Sequence, residues 1–262
     1  MKPLLHHRLS GRPASQAPAL LLIHPMGAAL DFWDACLPLW EPDFTCLAVD
    51  LRSAGASPRG EGPPGIDQHV GDLEELRASL GLARLLPISC AVGTMVAAAY
   101  AARHPDRVAA LILSNPTPAT SEAARAMLHA RAEAVRTGGM AAILPGAVER
   151  PFEAQPRDAR YISYLAAFSA QDAAAYADAV DGFATADVRS ELPRIRCATL
   201  LVPAAHDLLL PPALAQEVQR LMPPGLASIE LDAEGAHFLP YQRPAEFAAR
   251  VSRFIAALPG DP

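Results

Sequence analysis

The sequence predicts an α/β fold, a mostly parallel sheet with helices on both faces, interrupted by an all-helical insertion. Three observations predict it. Short apolar runs bounded by Pro, Gly and Asn alternate with stretches of helical periodicity. The runs are apolar at nearly every position, as strands packed on both faces must be. From about residue 121 to 187 the pattern is helical and no strand signature interrupts it.

In chain order, the runs at 20–24 (Leu-Leu-Leu-Ile-His), 45–50, 85–89, 109–114, 199–203 and 228–231 read as buried strands. An earlier first strand carries His6 and His7, whose side chains would point to opposite faces and so not share a metal. Helical periodicity covers 31–39, 66–80, 92–103, 212–221 and 244–258. Inside the insertion, helices are expected at 121–136, 140–150, 160–168 and 170–183, with Gly138-Gly139 and Pro145-Gly146 as breaks. The organisation is therefore a core of 1–120 and 188–262 and a lid of 121–187. Open α/β sheets bind ligands at the carboxyl ends of their strands, where such a lid would wall off a pocket.

Composition narrows the function. A chain of 262 residues can bury roughly three quarters of its unfolded surface, enough for a complete core. Hydrophobic residues are 51% and charged residues 19%, which excludes a disordered protein. Net charge is −6 with basic residues scattered, so nucleic acid is not an expected partner. Cys36, Cys46, Cys90 and Cys197 form no C-x-x-C pair, so buried free thiols and no metal site are expected. No apolar run reaches the roughly 18 residues of a membrane span and no secretory h-region opens the chain, so the expected location is cytoplasmic, with no membrane partner. No cofactor is implied; the expected partner is a small-molecule substrate, with a homo-oligomer left open.

Four segments at strand ends carry the chemistry: Ile23-His24-Pro25-Met26-Gly27, Ile88-Ser89-Cys90-Ala91-Val92-Gly93-Thr94, Pro203-Ala204-Ala205-His206-Asp207 and Glu234-Gly235-Ala236-His237-Phe238. With these, the whole chain resembles an α/β-hydrolase-fold protein. Val49-Asp50-Leu51-Arg52, followed by Gly55 and Ser57, is similar to the segment after that family's fourth strand. The subgroup it resembles is the 3-oxoadipate enol-lactonase-like hydrolases, through Arg136-Thr137-Gly138-Gly139-Met140-Ala141-Ala142 and Glu149-Arg150-Pro151-Phe152 in the lid. The lid is expected after the sixth strand.

The resemblance implies a G-x-S-x-G nucleophile elbow, a strained strand-to-helix turn that raises a serine hydroxyl above the sheet. Counting back from Met95-Val96-Ala97 and Arg103-His104-Pro105 places the nucleophile position at Ala91, with Ser89 at the first glycine, Cys90 at the variable position and Gly93 at the second glycine. A methyl group cannot attack a carbonyl. Three explanations stand: a parent's serine or cysteine replaced by alanine, leaving an inactivated variant; a natural chain that needs no covalent nucleophile, such as a lyase, a cofactor-free oxygenase or a receptor; or Ser89 or Cys90 as a displaced nucleophile.

The resemblance makes Asp207, after the run at 199–203, the acid that orients and charge-stabilises a histidine. It makes His237, ahead of the last helix, the base. The order elbow, Asp207, His237 is the family's. The oxyanion donors would be the backbone N–H groups of Met26 and Val92. Pro25 stands where glycine is more usual and stiffens that loop. Phe152 and Phe238, with Pro25, are the expected substrate-binding residues. Arg131, Arg136 and Arg150 are candidates to meet the carboxylate that an enol-lactone substrate carries.

Overall fold

The computed structural model describes residues 4–259. Seven strands form one sheet: β1 (His7–Gly11), β2 (Ala19–Ile23), β3 (Thr45–Val49), β4 (Leu86–Cys90), β5 (Ala110–Ser114), β6 (Ala198–Val202) and β7 (Ala227–Ile229). Their order is β1-β3-β2-β4-β5-β6-β7, with β1 antiparallel to β3 and every other pair parallel. Each predicted strand is present within a residue or two. The strand before the helical insertion is the fifth of these seven, so the expected count of six runs one ahead of this chain's described strands.

The helices are α1 (Leu37–Trp40), α2 (Ile66–Ser79), α3 (Gly93–Arg103), α4 (Glu122–Gly138), α5 (Gly146–Glu149), α6 (Ala159–Ser169), α7 (Ala173–Ala184), α8 (Ala213–Leu221), α9 (Leu239–Gln242) and α10 (Pro244–Ala256). Two expected helices differ. The segment 31–39 is a 3-10 turn, Leu30–Trp33, followed by the single turn α1 with Pro38 at its start. The segment 140–150 is likewise split, into a 3-10 turn Met140–Ile143 and α5, because Pro145 lacks the N–H a continuous helix would use.

Alternation along the strands builds two cores. Leu21, Ile23, Leu47, Val49, Leu111 and Leu113 face α2, α3 and α8. Leu20, Leu22, Ala48, Ile88, Ile112 and Val202 face the other way, onto Trp33, Trp40, α10 and the insertion's inner side chains. A side-chain period of two puts successive strand residues in opposite cores. The insertion, α4 to α7, lies between β5 and β6. Ser121 caps α4 by accepting the Ala124 N–H, and Asp158 and Asp172 do the same for α6 and α7. No helix among the described residues is long and apolar enough to cross a membrane.

Candidate active site

Ala91 follows β4 directly and holds φ at 51°, the left-handed region that L-residues seldom occupy. Its N–H donates to the Ser114 carbonyl at 2.9 Å, and its carbonyl accepts from the Thr94 N–H at 3.0 Å and the Thr94 hydroxyl at 2.5 Å. The turn passes so close to the β2 loop that a Cβ on Gly93 would stand 2.7 Å from the His24 carbonyl oxygen. These are the features of a nucleophile elbow, with a methyl at its apex.

Ala91 lines a cavity of about 360 Å³ together with Pro25, Met26, Val92, His237 and Phe238. His237 Nδ1 lies 2.9 Å and 3.1 Å from the two carboxylate oxygens of Asp207. Asp207 is buried and also accepts the Leu209 and Leu210 N–H groups, at 2.8 Å and 2.9 Å. Three N–H donors therefore converge on one carboxylate, which fixes the imidazole with Nδ1–H toward Asp207 and leaves Nε2 as the free ring nitrogen.

The loop after β2 is held by His24. Its Nε2 accepts the Leu51 N–H at 3.0 Å, so Nδ1 carries the proton and donates to the Pro25 carbonyl at 2.8 Å. Burial lowers the pKa of this ring below its ordinary value, favouring the neutral form that the two bonds require. On the far side of the loop, the Tyr164 hydroxyl and Gln171 Nε2 both donate to the Gly27 carbonyl at 2.9 Å. Among the described residues, neither the Met26 nor the Val92 N–H donates to a protein acceptor, and both residues face the cavity. Val92 caps the start of α3, where helix N–H groups are unpaired by construction.

The insertion supplies the remaining walls, including Leu128, Arg131, Arg150, Tyr164, Phe168 and Tyr176. Arg131 bonds the Tyr176 phenol, whose pKa burial raises and Arg131 pulls back down. Among the described residues, neither Arg131 nor Arg150 has a carboxylate partner. Arg136 is different: it is paired with Asp181 at 2.6 Å, away from the cavity. A second cleft, of about 560 Å³, opens across Tyr164 and Tyr176, beside Gly27, Asp31 and Tyr241.

Of the expected residues, Pro25, Met26, Ala91, Val92, His237 and Phe238 share one cavity, and Asp207 stands behind His237. Phe152 does not line that cavity. It is buried one layer back, edge-on to Phe238 at 6.0 Å and Tyr161 at 5.3 Å, because the aromatic cluster of α6 and α9 closes over it. Ser89 and Cys90 do not line the cavity either. Burial and the Asp207 charge push the Cys90 thiol well above its ordinary pKa, and its S–H points to the His237 carbonyl at 3.5 Å. Among the described residues, no group of three or more His, Cys, Asp or Glu side chains could hold a metal ion.

The fold and this arrangement define an α/β-hydrolase-fold protein, and comparison with known proteins agrees. A family model described as the alpha/beta hydrolase fold matches residues 18–137. The chain's fold is the alpha/beta hydrolase fold. Within it, the chain is similar to the enol-lactonase from Burkholderia xenovorans LB400, with a TM-score of 0.88 and 26% identity over 96% of each chain. It is 25% identical to the "Putative carbamate hydrolase RutD" of Caulobacter sp. (strain K31), over 96% of both chains. A thermophilic esterase from Thermogutta terrifontis shares the fold, at a TM-score of 0.86 and 23% identity, over 96% of this chain and 93% of that one.

The sequence does not point to Tyr164, Gln171 or His24 as supports of the loop after β2. Their partners lie up to 144 residues away in the chain, and no local spacing signals such contacts.

Proposed function

We propose that this chain is built to bind a small carboxylic ester or lactone carrying an anionic group, and that its parent hydrolyses that substrate through an acyl-enzyme. The observation that carries the reading is the left-handed φ of 51° kept by Ala91 in the same cavity as the Asp207–His237 pair. A left-handed φ costs a non-glycine residue of order 1–3 kcal/mol, and Ser53 and Ala154 bear it too; at Ala91 it falls at a strand-to-helix turn on the wall of the cavity that His237 lines. With serine at position 91, the hydroxyl would attack the carbonyl. His237 would take its proton and return it to the leaving oxygen, and Asp207 would hold the imidazolium. The Met26 and Val92 N–H groups would receive the oxyanion.

Arg131 and Arg150, on the cavity wall without carboxylate partners among the described residues, support a substrate with a carboxylate. Similarity to an enol-lactonase supports the lactone, and similarity to the RutD protein puts carbamates, which have the same acyl carbon bonded to a leaving heteroatom, in the test panel. With Ala91 the chain keeps the binding surface and loses the attack, a loss on the order of a millionfold in serine hydrolases.

The test is Ala91→Ser, assayed with p-nitrophenyl acetate and with panels of lactones and carbamates. A rise in turnover of several orders of magnitude is expected. Turnover no higher than that of the Ala91 chain would sink the assignment. A second reading, a non-hydrolytic protein using His237 and Asp207 alone, has the missing hydroxyl itself in its favour. It predicts ligand binding or proton abstraction by the Ala91 chain that Ala91→Ser does not improve.

A further inference from the structure

We propose that Asn115 is a positioning residue that sets His237 and Asp207 relative to one another and to the elbow. The inference rests on the role read for His237 and Asp207 above, but its test does not depend on turnover.

Asn115 directly follows β5, is fully buried, and holds φ at 48°. Its backbone N–H donates to the Val202 carbonyl, tying it to the end of β6. Its side-chain amide is used on both sides. Nδ2 donates to the Ala236 carbonyl at 2.8 Å and to the His237 carbonyl at 2.9 Å. Oδ1 accepts the Ala204 N–H at 2.7 Å. Ala204 in turn accepts the Asp207 N–H at 3.2 Å, so the turn that presents the acid hangs from the group Asn115 holds. The His237 carbonyl also receives the Cys90 thiol, one residue before Ala91. One amide thus spans the ends of β5 and β6 and the base loop, and meets the elbow strand at a shared carbonyl.

The chemistry of the site selects asparagine. Two carbonyl oxygens need donors and one N–H needs an acceptor, which fixes the amide in a single orientation. An aspartate would set carboxylate oxygens against the carbonyls of Ala236 and His237. A glycine would tolerate the backbone but leave the Ala236 carbonyl and the Ala204 N–H without their side-chain partner and the His237 carbonyl with the weak Cys90 thiol alone. Asparagine is also among the few side chains that enter the left-handed region readily. Asn115 touches neither the cavity nor a reacting atom, so its effect passes through the imidazole it places.

The distinguishing readout is the proton held between His237 Nδ1 and Asp207, observed by NMR in the Ala91 chain with 15N-labelled histidine. This proton should resonate well downfield of the amide region, with ring nitrogen shifts of the Nδ1–H tautomer. Asn115→Gly preserves the permitted backbone and is the first variant. Asn115→Asp, which keeps the volume, is the second. Loss of the downfield resonance, or tautomer mixing, in a variant whose other amide spectrum is retained is the expected result. A variant with lowered Tm but an unchanged His237 signal would overturn the proposal and leave Asn115 a structural residue only. If Asn115→Gly does not fold, Asn115→Asp decides by the same criterion. If neither folds, the His237 signal is followed in Asn115→Ser, which keeps a small polar side chain but shortens it away from the Ala204, Ala236 and His237 backbone groups; an unchanged signal there also overturns the proposal. Failure of Ala91→Ser to turn over substrate would leave this readout untouched, so the two readings fail separately.

Discussion

The two ends of the site are held by different means. At the carboxyl end of β4, position comes from the backbone: the left-handed φ of Ala91, its N–H on Ser114, and the close approach that only glycine permits at residue 93. At the ends of β6 and β7, position comes from side chains: Asp207 gathers three N–H donors, and Asn115 joins the loops that carry acid and base. The difference teaches why an alanine at position 91 is compatible with the turn it occupies. An alanine satisfies a position defined by backbone, whereas an alanine at 207 or 237 would remove the contacts that define the position.

The largest test of that contrast is Asp207→Asn placed on Ala91→Ser. An asparagine presents its own donors and acceptors, so the imidazole is driven toward the wrong tautomer. Turnover of p-nitrophenyl acetate should fall about ten-thousand-fold from the Ala91→Ser level while the fold persists. A loss under tenfold would mean that Asp207 does not orient the base.

Acid should act on the buried imidazoles outside the Asp207–His237 pair. His69, on α2, is buried against the Phe183 ring, with neither ring nitrogen bonded, and burial lowers its pKa to about 4 from 6.5. His24, which holds the loop after β2, is shifted the same way. A histidine whose folded pKa is depressed binds more protons unfolded. Its contribution is complete above 6.5 and is lost as pH falls toward about 4. For His69 the loss is about 3 kcal/mol. Subtracting the denaturation curves of His69→Phe from those of the parent between those limits isolates the effect. An equal slope in both proteins would show that His69 is not the group that titrates.

How much of this was legible in the sequence depends on what holds each part. Strands β2 to β6 were readable because burial on both faces makes them apolar throughout. In the segment 140–150 the break at Pro145-Gly146 is legible from the residue types, but the tightening of Met140–Ile143 into a 3-10 turn is not, because its periodicity is helical on both sides of Pro145. Ala91, Asp207 and His237 are candidates through the family resemblance, which rests on order and spacing that survive in a one-dimensional string. Asn115 was invisible, since its partners lie 89 to 122 residues away and an asparagine after a strand reads as a turn. Phe152 was placed on the pocket wall, but an aromatic in the first layer and one in the second have the same sequence signature.

Gly93→Ala tests the backbone-held end directly. The new methyl would meet a backbone oxygen at 2.7 Å, and neither the β2 loop nor α3 can give way without moving the other. A destabilisation of about 1–3 kcal/mol is expected, with a Tm lower by several degrees. An unchanged Tm would mean that the elbow and the β2 loop are not tightly packed.

The smallest expected effect is also the most specific to the contrast. If Ala91 is an L-residue forced into a conformation that suits glycine, Ala91→Gly should relieve it. Glycine loses more freedom on folding, which offsets part of the gain, so the net stabilisation is about 1 kcal/mol, or a Tm rise of roughly 2–4 °C for a chain of this size. Most substitutions at a buried position destabilise, and removing a buried methyl normally does. A rise in Tm would therefore be hard to explain except by strain stored in the turn. A fall would mean that the methyl contributes more by packing than the backbone loses, and the elbow would then be held by its side chain, as the Asp207 and His237 end is.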